Sequence, residues 1–404
     1  MNAPNISKRM LGLKSETAFA VGVEAMAVEK QTGKKVIKFQ IGQPDFRTPD
    51  NICYKAIQAI IDGKHGYTPS PGIPELREAV AKYYTRTRGV NVDWSDVAIA
   101  NGGKEFIGYT IAAVTDPGQG HEVIYPNPGY PIYEAEAIWR GAKPVPLSIR
   151  EKNNFNFDID ELGRTINDKT RLLILNSPQN PTGGVLSREE LEAIAKIVLK
   201  YPNLWVLSDE IYSQLVYDKK FESIASVPGM QERTVIMDGV SKTYAMTGWR
   251  IGFAANKALV KHFGTQITVN TGCAGHIDQW AAVEALNGSQ EVPERMAKVF
   301  RERRDIIVAL LNDIPGVTCK TPGGAFYAYP NITEACKLVG ARNSDDFRKR
   351  LLYEALVCVT ADIHFGPQVV GDGEHIRFSY ASSIEDIREG MKRMKEWIIS
   401  HDAI

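Results

Sequence analysis

A neutral lysine amine can attack a carbonyl, and a second cation close by makes that amine easier to deprotonate. Lys242 opens such an arrangement in SKTYAMTGWRIG, residues 241–252, with Ser241 before it and Arg250 after it. Arg250 is also the kind of cation that would hold a phosphate. Upstream, VLSDEIYSQLVYD sets Asp209 at the carboxyl end of a β-rich run, with Tyr212 three places on. A carboxylate there would hold a cationic partner, or it would simply cap a following helix as an N-terminal acid.

Four further stretches carry polar groups at the ends of apolar runs. NSPQNPTGG, residues 176–184, holds Asn180, an amide that donates without adding charge, in a segment that also reads as an ordinary Asn-Pro turn. NGGKEFIG, residues 101–108, places Gly103 and Lys104 where backbone N–H groups at a helix start can meet a phosphate; a turn with no ligand is the bland alternative. YPNPGYPIY, residues 125–133, offers Tyr130 either for stacking or as core. IRFSYA contributes Arg377, whose planar fork matches a carboxylate through two bonds where a lysine would not.

These residues need a scaffold that brings strand ends together. Short runs rich in β-branched residues, at 96–101, 121–127, 170–176, 204–210, 234–241 and 250–256, alternate with longer amphipathic stretches. That order predicts an α/β fold whose mainly parallel sheet lies between helices, with ligands at the carboxyl ends of its strands. SREELEAIAKIVLKY begins with a capping box, Ser187 to Glu190. After about residue 290 a long charged helix leads into the shorter strand-like pieces GVTCK, AFYAYP, ALVCVTA and HIRFSYA, then a last helix, EDIREGMKRMKEWII. The expected division is an arm over 1–45, a large domain over 46–290 and a small α+β domain over 291–404.

Lys plus Arg and Asp plus Glu balance at 48 each and are interspersed, so no concentrated basic face for nucleic acid is expected. The five cysteines include no CxxC pair and read as reduced thiols of a cytoplasmic protein. No apolar stretch approaches the length of a membrane span. No GxGxxG, GxxxxGK[ST], HExxH or GxSxG pattern occurs, so neither a nucleotide nor a metal site is anticipated.

From about Gly42 to Ala381 the motifs resemble, in order, those of the class I/II aminotransferases of fold type I, which use pyridoxal 5'-phosphate (PLP). The resemblance implies that Lys242 carries the cofactor covalently and moves the substrate's α-proton. It implies that Asp209 pairs with the ring nitrogen, that Tyr212 and Asn180 bond the phenolic oxygen, and that Tyr130 stacks on the ring. Ser241, Arg250, Gly103 and the Lys104 backbone would hold the phosphate. Gly42, in IGQPDF, Asn180 and Arg377 would meet the substrate carboxylate. Tyr67, in HGYTPSPG, would reach the phosphate of a neighbouring subunit, implying a homodimer with shared sites. Bacterial aspartate and prephenate aminotransferases are nearest in pattern, and their distal-carboxylate lysine matches Lys104, making a dicarboxylic amino acid and 2-oxoglutarate the expected pair.

Two stretches depart from that pattern. The aspartate-type Ser/Thr pair is replaced in KSETAFAV, leaving Glu16 and Ala18 near those positions, and VTADIHFG puts His364 where a Pro-Gly pair is usual. His364, together with His276 and Cys273 of NTGCAGHIDQW, is therefore a candidate for lining the pocket. A PLP-dependent lyase, decarboxylase or synthase is the alternative, since one fold and cofactor serve many reactions.

Overall fold

In a computed structural model, which describes residues 5–11, 13 and 17–402, the β-branched runs of the middle of the chain join one sheet. A short strand, β1 (Ile37–Lys38), precedes it. The sheet takes β2 (Val97–Ala100), β3 (Glu122–Asn127), β4 (Lys143–Ser148), β5 (Thr170–Asn176), β6 (Trp205–Asp209), β7 (Thr234–Gly239) and β8 (Gly252–Ala255). Their spatial order is β2-β8-β7-β6-β5-β3-β4. All neighbours are parallel except β8, which runs antiparallel to β2 and β7.

Helices cover both faces, and the strand period of two decides which side chain meets which helix. Ile99, Phe253 and Ala255 pack with Tyr84 of the helix Pro74–Arg88 and Ala281 of the helix His276–Asn287. Ala98, Ala100 and Ala254 face the other way, onto Phe106 of the helix Lys104–Val114 and Phe263 of the helix Val260–Asn270. The six strands expected in this region all form. The seventh, β4, escapes a sequence reading because Pro144 and Pro146 interrupt its run; a strand tolerates them at an edge, and β4 is an edge. The Ser187 to Glu190 capping box closes as expected.

Toward the carboxyl end, β9 (Tyr327–Ala328), β11 (Thr360–Ala361) and β12 (Ile376–Ser379) form a small antiparallel sheet in the order β11-β12-β9, while β10 (Val357–Cys358) pairs in parallel with β1. GVTCK forms no strand; Thr318 makes only an isolated bridge to Asn331. The long helices Glu291–Asn312 and Ile384–Asp402 pack Phe300, Ile307, Leu311, Met394 and Ile398 into one core with Ile37 and Phe39. No helix among the described residues is long and apolar enough to cross a membrane.

Because β2, β5, β6 and β7 all end at the same edge of the large sheet, the segments that follow them converge there. Residues distant in the chain thereby meet in one place.

Candidate active site

A cavity of about 530 Å³ opens at that edge, within the size range of small-molecule sites. Gly42, Gly103, Lys104, Tyr130, Asn180, Asp209, Tyr212, Ser241, Lys242, Arg250, His364 and Arg377 all border it.

Lys242 follows β7 and its Nζ donates to the Gly42 carbonyl at 2.7 Å. Gly42 has to be a glycine, since a Cβ there would run into the Tyr327 hydroxyl. That hydroxyl shares a hydrogen bond of 2.7 Å with Tyr212, whose ring stands edge-on to it. Burial holds the Tyr212 phenol well above its ordinary range, so it stays a neutral donor.

Asp209 ends β6 and is 5% exposed. Its carboxylate accepts from two neutral donors, the Tyr133 hydroxyl at 2.7 Å and the Ile211 N–H at 3.3 Å. Burial pushes the carboxyl up to about 7, and the neighbouring carboxylates Asp238 and Glu210 add to the rise. The residues directly after Asp209 form turns and no α-helix, so it is not a helix-capping acid. A buried carboxylate held by neutral donors at the wall of a cavity suits a cationic ring nitrogen, which would return it to the charged form.

Arg377 lies on β12. One nitrogen donates to Asn180 Oδ1 at 2.9 Å and another to the Gln40 carbonyl at 2.5 Å. Its guanidinium sits 4.5 Å from the Tyr327 ring centre and 4.7 Å from that of Phe365, a stacked setting that an arginine fits and a lysine would not. The bond to Arg377 also turns the oxygen of the Asn180 amide away and leaves its NH₂ as the donor. Asn176, at the end of β5, steadies the turn by accepting from the Asn180 N–H at 2.9 Å and donating to the Asp209 carbonyl at 3.1 Å.

The fourth corner gathers Gly103, Lys104, Ser241 and Arg250. Gly103 caps the helix Lys104–Val114 without any side-chain hydrogen bond, and Gly103 and Lys104 both border the cavity, so the helix opens at its wall. Gly102 sits at φ 97° and against Arg250, where a Cβ would strike the guanidinium. Arg250, itself at φ 57°, is held by the carbonyls of Thr247 at 3.0 Å and Asn101 at 3.3 Å. With Ser241 on the same wall, the donor set matches a phosphate monoester. Together with a lysine, a buried carboxylate and Tyr130, it fits PLP.

Not every candidate reaches this cavity. Tyr67 is 96% exposed and stands outside it. His276 and Cys273 also lie outside: the His276 ring bonds the Gly66 carbonyl at 3.1 Å, which ties it to the loop carrying Tyr67. Ala18 lines the cavity, whereas Glu16 lies outside the described residues. Sequence reading passed over Gly102, Tyr133, Asn176, Tyr327 and Gln40. Tyr133 had a signal, standing one helical turn after Tyr130 in YPNPGYPIY. Tyr327 had none, because its partners come from other parts of the chain.

The family model for aminotransferase class I and II matches residues 34–394. A probable aspartate/prephenate aminotransferase of Rhizobium leguminosarum bv. phaseoli is 38% identical over 397 residues, covering 95% of this chain and 96% of that one. An aspartate aminotransferase of Bacillus subtilis (strain 168) is 35% identical, covering 98% and 99%. The crystal structure of the aspartate aminotransferase from Rhizobium meliloti superposes with a TM-score of 0.92 at 32% identity, covering 98% of this chain and 99% of that one. The lyase, decarboxylase and synthase alternatives gain no support from these relatives. With the geometry of the cavity beside them, the chain belongs to the class I and II aminotransferases, PLP-dependent enzymes that move an amino group from an L-amino acid to a 2-oxo acid.

Proposed function

We propose that the preferred substrates carry a second carboxylate, aspartate or glutamate as donor and 2-oxoglutarate as acceptor. The observation that carries this is Lys104: its side chain borders the same cavity as Arg377, and its Nζ lies 5.6 Å from the centre of the Tyr130 ring. With Lys242 and Arg250 assigned to the cofactor, Arg377 and Lys104 are the two cations of the cavity that suit a substrate with two carboxylates. The aspartate-directed names of the relatives point the same way.

In this reading Arg377 grips the α-carboxylate in a bidentate pair, with the Asn180 amide beside it. Tyr212 and Asn180 would donate to the phenolic oxygen, Tyr130 would cover one face of the ring, and Gly103, the Lys104 backbone, Ser241 and Arg250 would hold the phosphate. Asp209 would keep the ring nitrogen protonated. PLP supplies an electron sink when bound. Lys242 would hold the cofactor covalently, and its amine, which donates to the Gly42 carbonyl at 2.7 Å at the cavity wall, is the base that would take the substrate's α-proton.

A homodimer with shared sites is supported by an apolar stripe left open on the helix Asp50–Ile61, where Tyr54, Ile57 and Ile61 lie on neighbouring turns and are all exposed, and by the exposure of Tyr67. The chain divides into an arm (1–45), a large part (46–290) and a small part (291–404), and the packing of the arm with the small part is supported by the pairing of β1 with β10. Five free cysteines suit a cytoplasmic setting.

The test is a half-reaction panel. Conversion of the bound cofactor to its amine form should be fastest with aspartate or glutamate among acidic, aromatic and small amino acids; a preference for an uncharged or basic amino acid would overturn the acidic assignment.

A further inference from the structure

The end of the cavity beside Arg377 holds two polar side chains that the roles above leave unused. Thr360, on β11, is fully buried and stands opposite Arg377 in the register of β11 and β12. Its Oγ1 has no hydrogen-bond partner among the described residues, although Thr360 borders the cavity. A buried hydroxyl left in this way calls for a partner, and at the cavity wall a ligand atom can supply it.

His364 follows in the short turn Asp362–Phe365. Its Nδ1 accepts the Ala361 N–H at 2.9 Å, which fixes the tautomer with the proton on Nε2. Burial pushes the imidazole down to about 4, and the Arg348 and Arg377 cations add to the drop against the opposing pull of Asp345. The ring is therefore neutral at ordinary pH, and it can donate but not attract by charge. Phe365, the next residue, packs on the Arg377 guanidinium and ties the turn to that arginine.

Each oxygen of an α-carboxylate in the Arg377 fork already takes a charge-assisted bond, with the Asn180 amide beside it, and this favours an acceptor on the substrate's side chain for the two neutral donors. A neutral N–H and a hydroxyl serve a carboxylate and a carboxamide alike, whereas Lys104 favours the carboxylate alone. We propose that His364, with Thr360 beside it, is a specificity-determining residue that donates a hydrogen bond to the terminal acceptor of the substrate side chain, so that the site takes acidic amino acids and their amides ahead of aliphatic ones. The proposal rests on the acidic-substrate reading and widens it to the amides.

The experiment compares His364→Leu and His364→Gln holoenzymes with the parent, using single-turnover half-reactions with aspartate, asparagine, alanine and phenylalanine, and calorimetric titration with succinate, a dicarboxylate that cannot react. The leucine variant should lose about five- to tenfold in kcat/KM for aspartate and for asparagine relative to alanine, with a similar weakening of succinate binding, and the glutamine variant should recover most of it. Equal losses with all four amino acids would place His364 on the α-carboxylate and overturn the proposal, as would unchanged aspartate-to-alanine and asparagine-to-alanine ratios. If the leucine variant fails to fold, Thr360→Val carries the same comparison. A parent enzyme that prefers alanine or phenylalanine outright would instead overturn the acidic-substrate reading.

Discussion

The Tyr133 hydroxyl donates to the Asp209 carboxylate across 2.7 Å, in a place where burial lifts that carboxyl to about 7. A neutral donor steadies the ionised form without neutralising it, so the carboxylate is left available to a cation. Tyr133→Phe should lower the half-reaction rate by about tenfold, the worth of one hydrogen bond to a charged group. It should also weaken PLP retention in dialysis. Unchanged rate and retention would mean that the bond is only a packing contact.

Asp209 itself should make the cofactor-free protein sensitive to pH. Its folded value lies above the ordinary carboxylate value of 3.8, so the folded state holds a proton that the unfolded state has lost. Stability from this group is therefore full below the unfolded value and is lost as pH rises toward about 7. Asp209→Asn should accordingly stabilise the cofactor-free protein at about pH 8 and change little near pH 4. Urea unfolding at several pH values reads this out, and a constant difference would refute it. In the holoenzyme the same substitution should cost several orders of magnitude in rate, because a ring nitrogen without its acid partner stabilises a carbanion poorly.

Lys242→Ala should abolish turnover while leaving the fold intact. Borohydride reduction followed by peptide mass spectrometry should attach a pyridoxyl group to the Lys242 peptide of the parent and to no peptide of the variant. A labelled peptide elsewhere would move the anchor.

Tyr67, exposed in a single chain, should matter only in a pair of chains. Mixing inactive Tyr67→Ala and Lys242→Ala proteins under exchange should restore activity through hybrid dimers that carry one repaired site. No recovery despite demonstrated exchange would argue against sharing.

Lys104→Ala should lower kcat/KM for aspartate relative to alanine by about ten- to a hundredfold, the range expected for a charged hydrogen bond. A uniform loss would assign Lys104 to the phosphate corner alone.

The residues with local signatures were legible in the chain itself. Lys242 and Arg250 share one twelve-residue stretch, Asp209 ends a β-rich run, and Gly103 opens a helix, so strand period and turn chemistry announce each of them. The fold class followed from the same alternation of runs and helices. Pairing across the chain was not legible. Tyr133 meets Asp209, Tyr327 meets Tyr212 and Gly42, and Asn180 meets Arg377 only because parallel strands end at one edge and a second core is laid over it. A hydrogen bond depends on distance and angle, and for partners so far apart in sequence these are set by packing rather than by spacing. The same holds for β4, whose prolines hide a strand that its edge position permits, and for the histidines. His276 and His364 are both pocket candidates in the sequence, yet His364 borders the cavity with its Nδ1 bonded by the Ala361 N–H, while the Gly66 carbonyl ties His276 outside it.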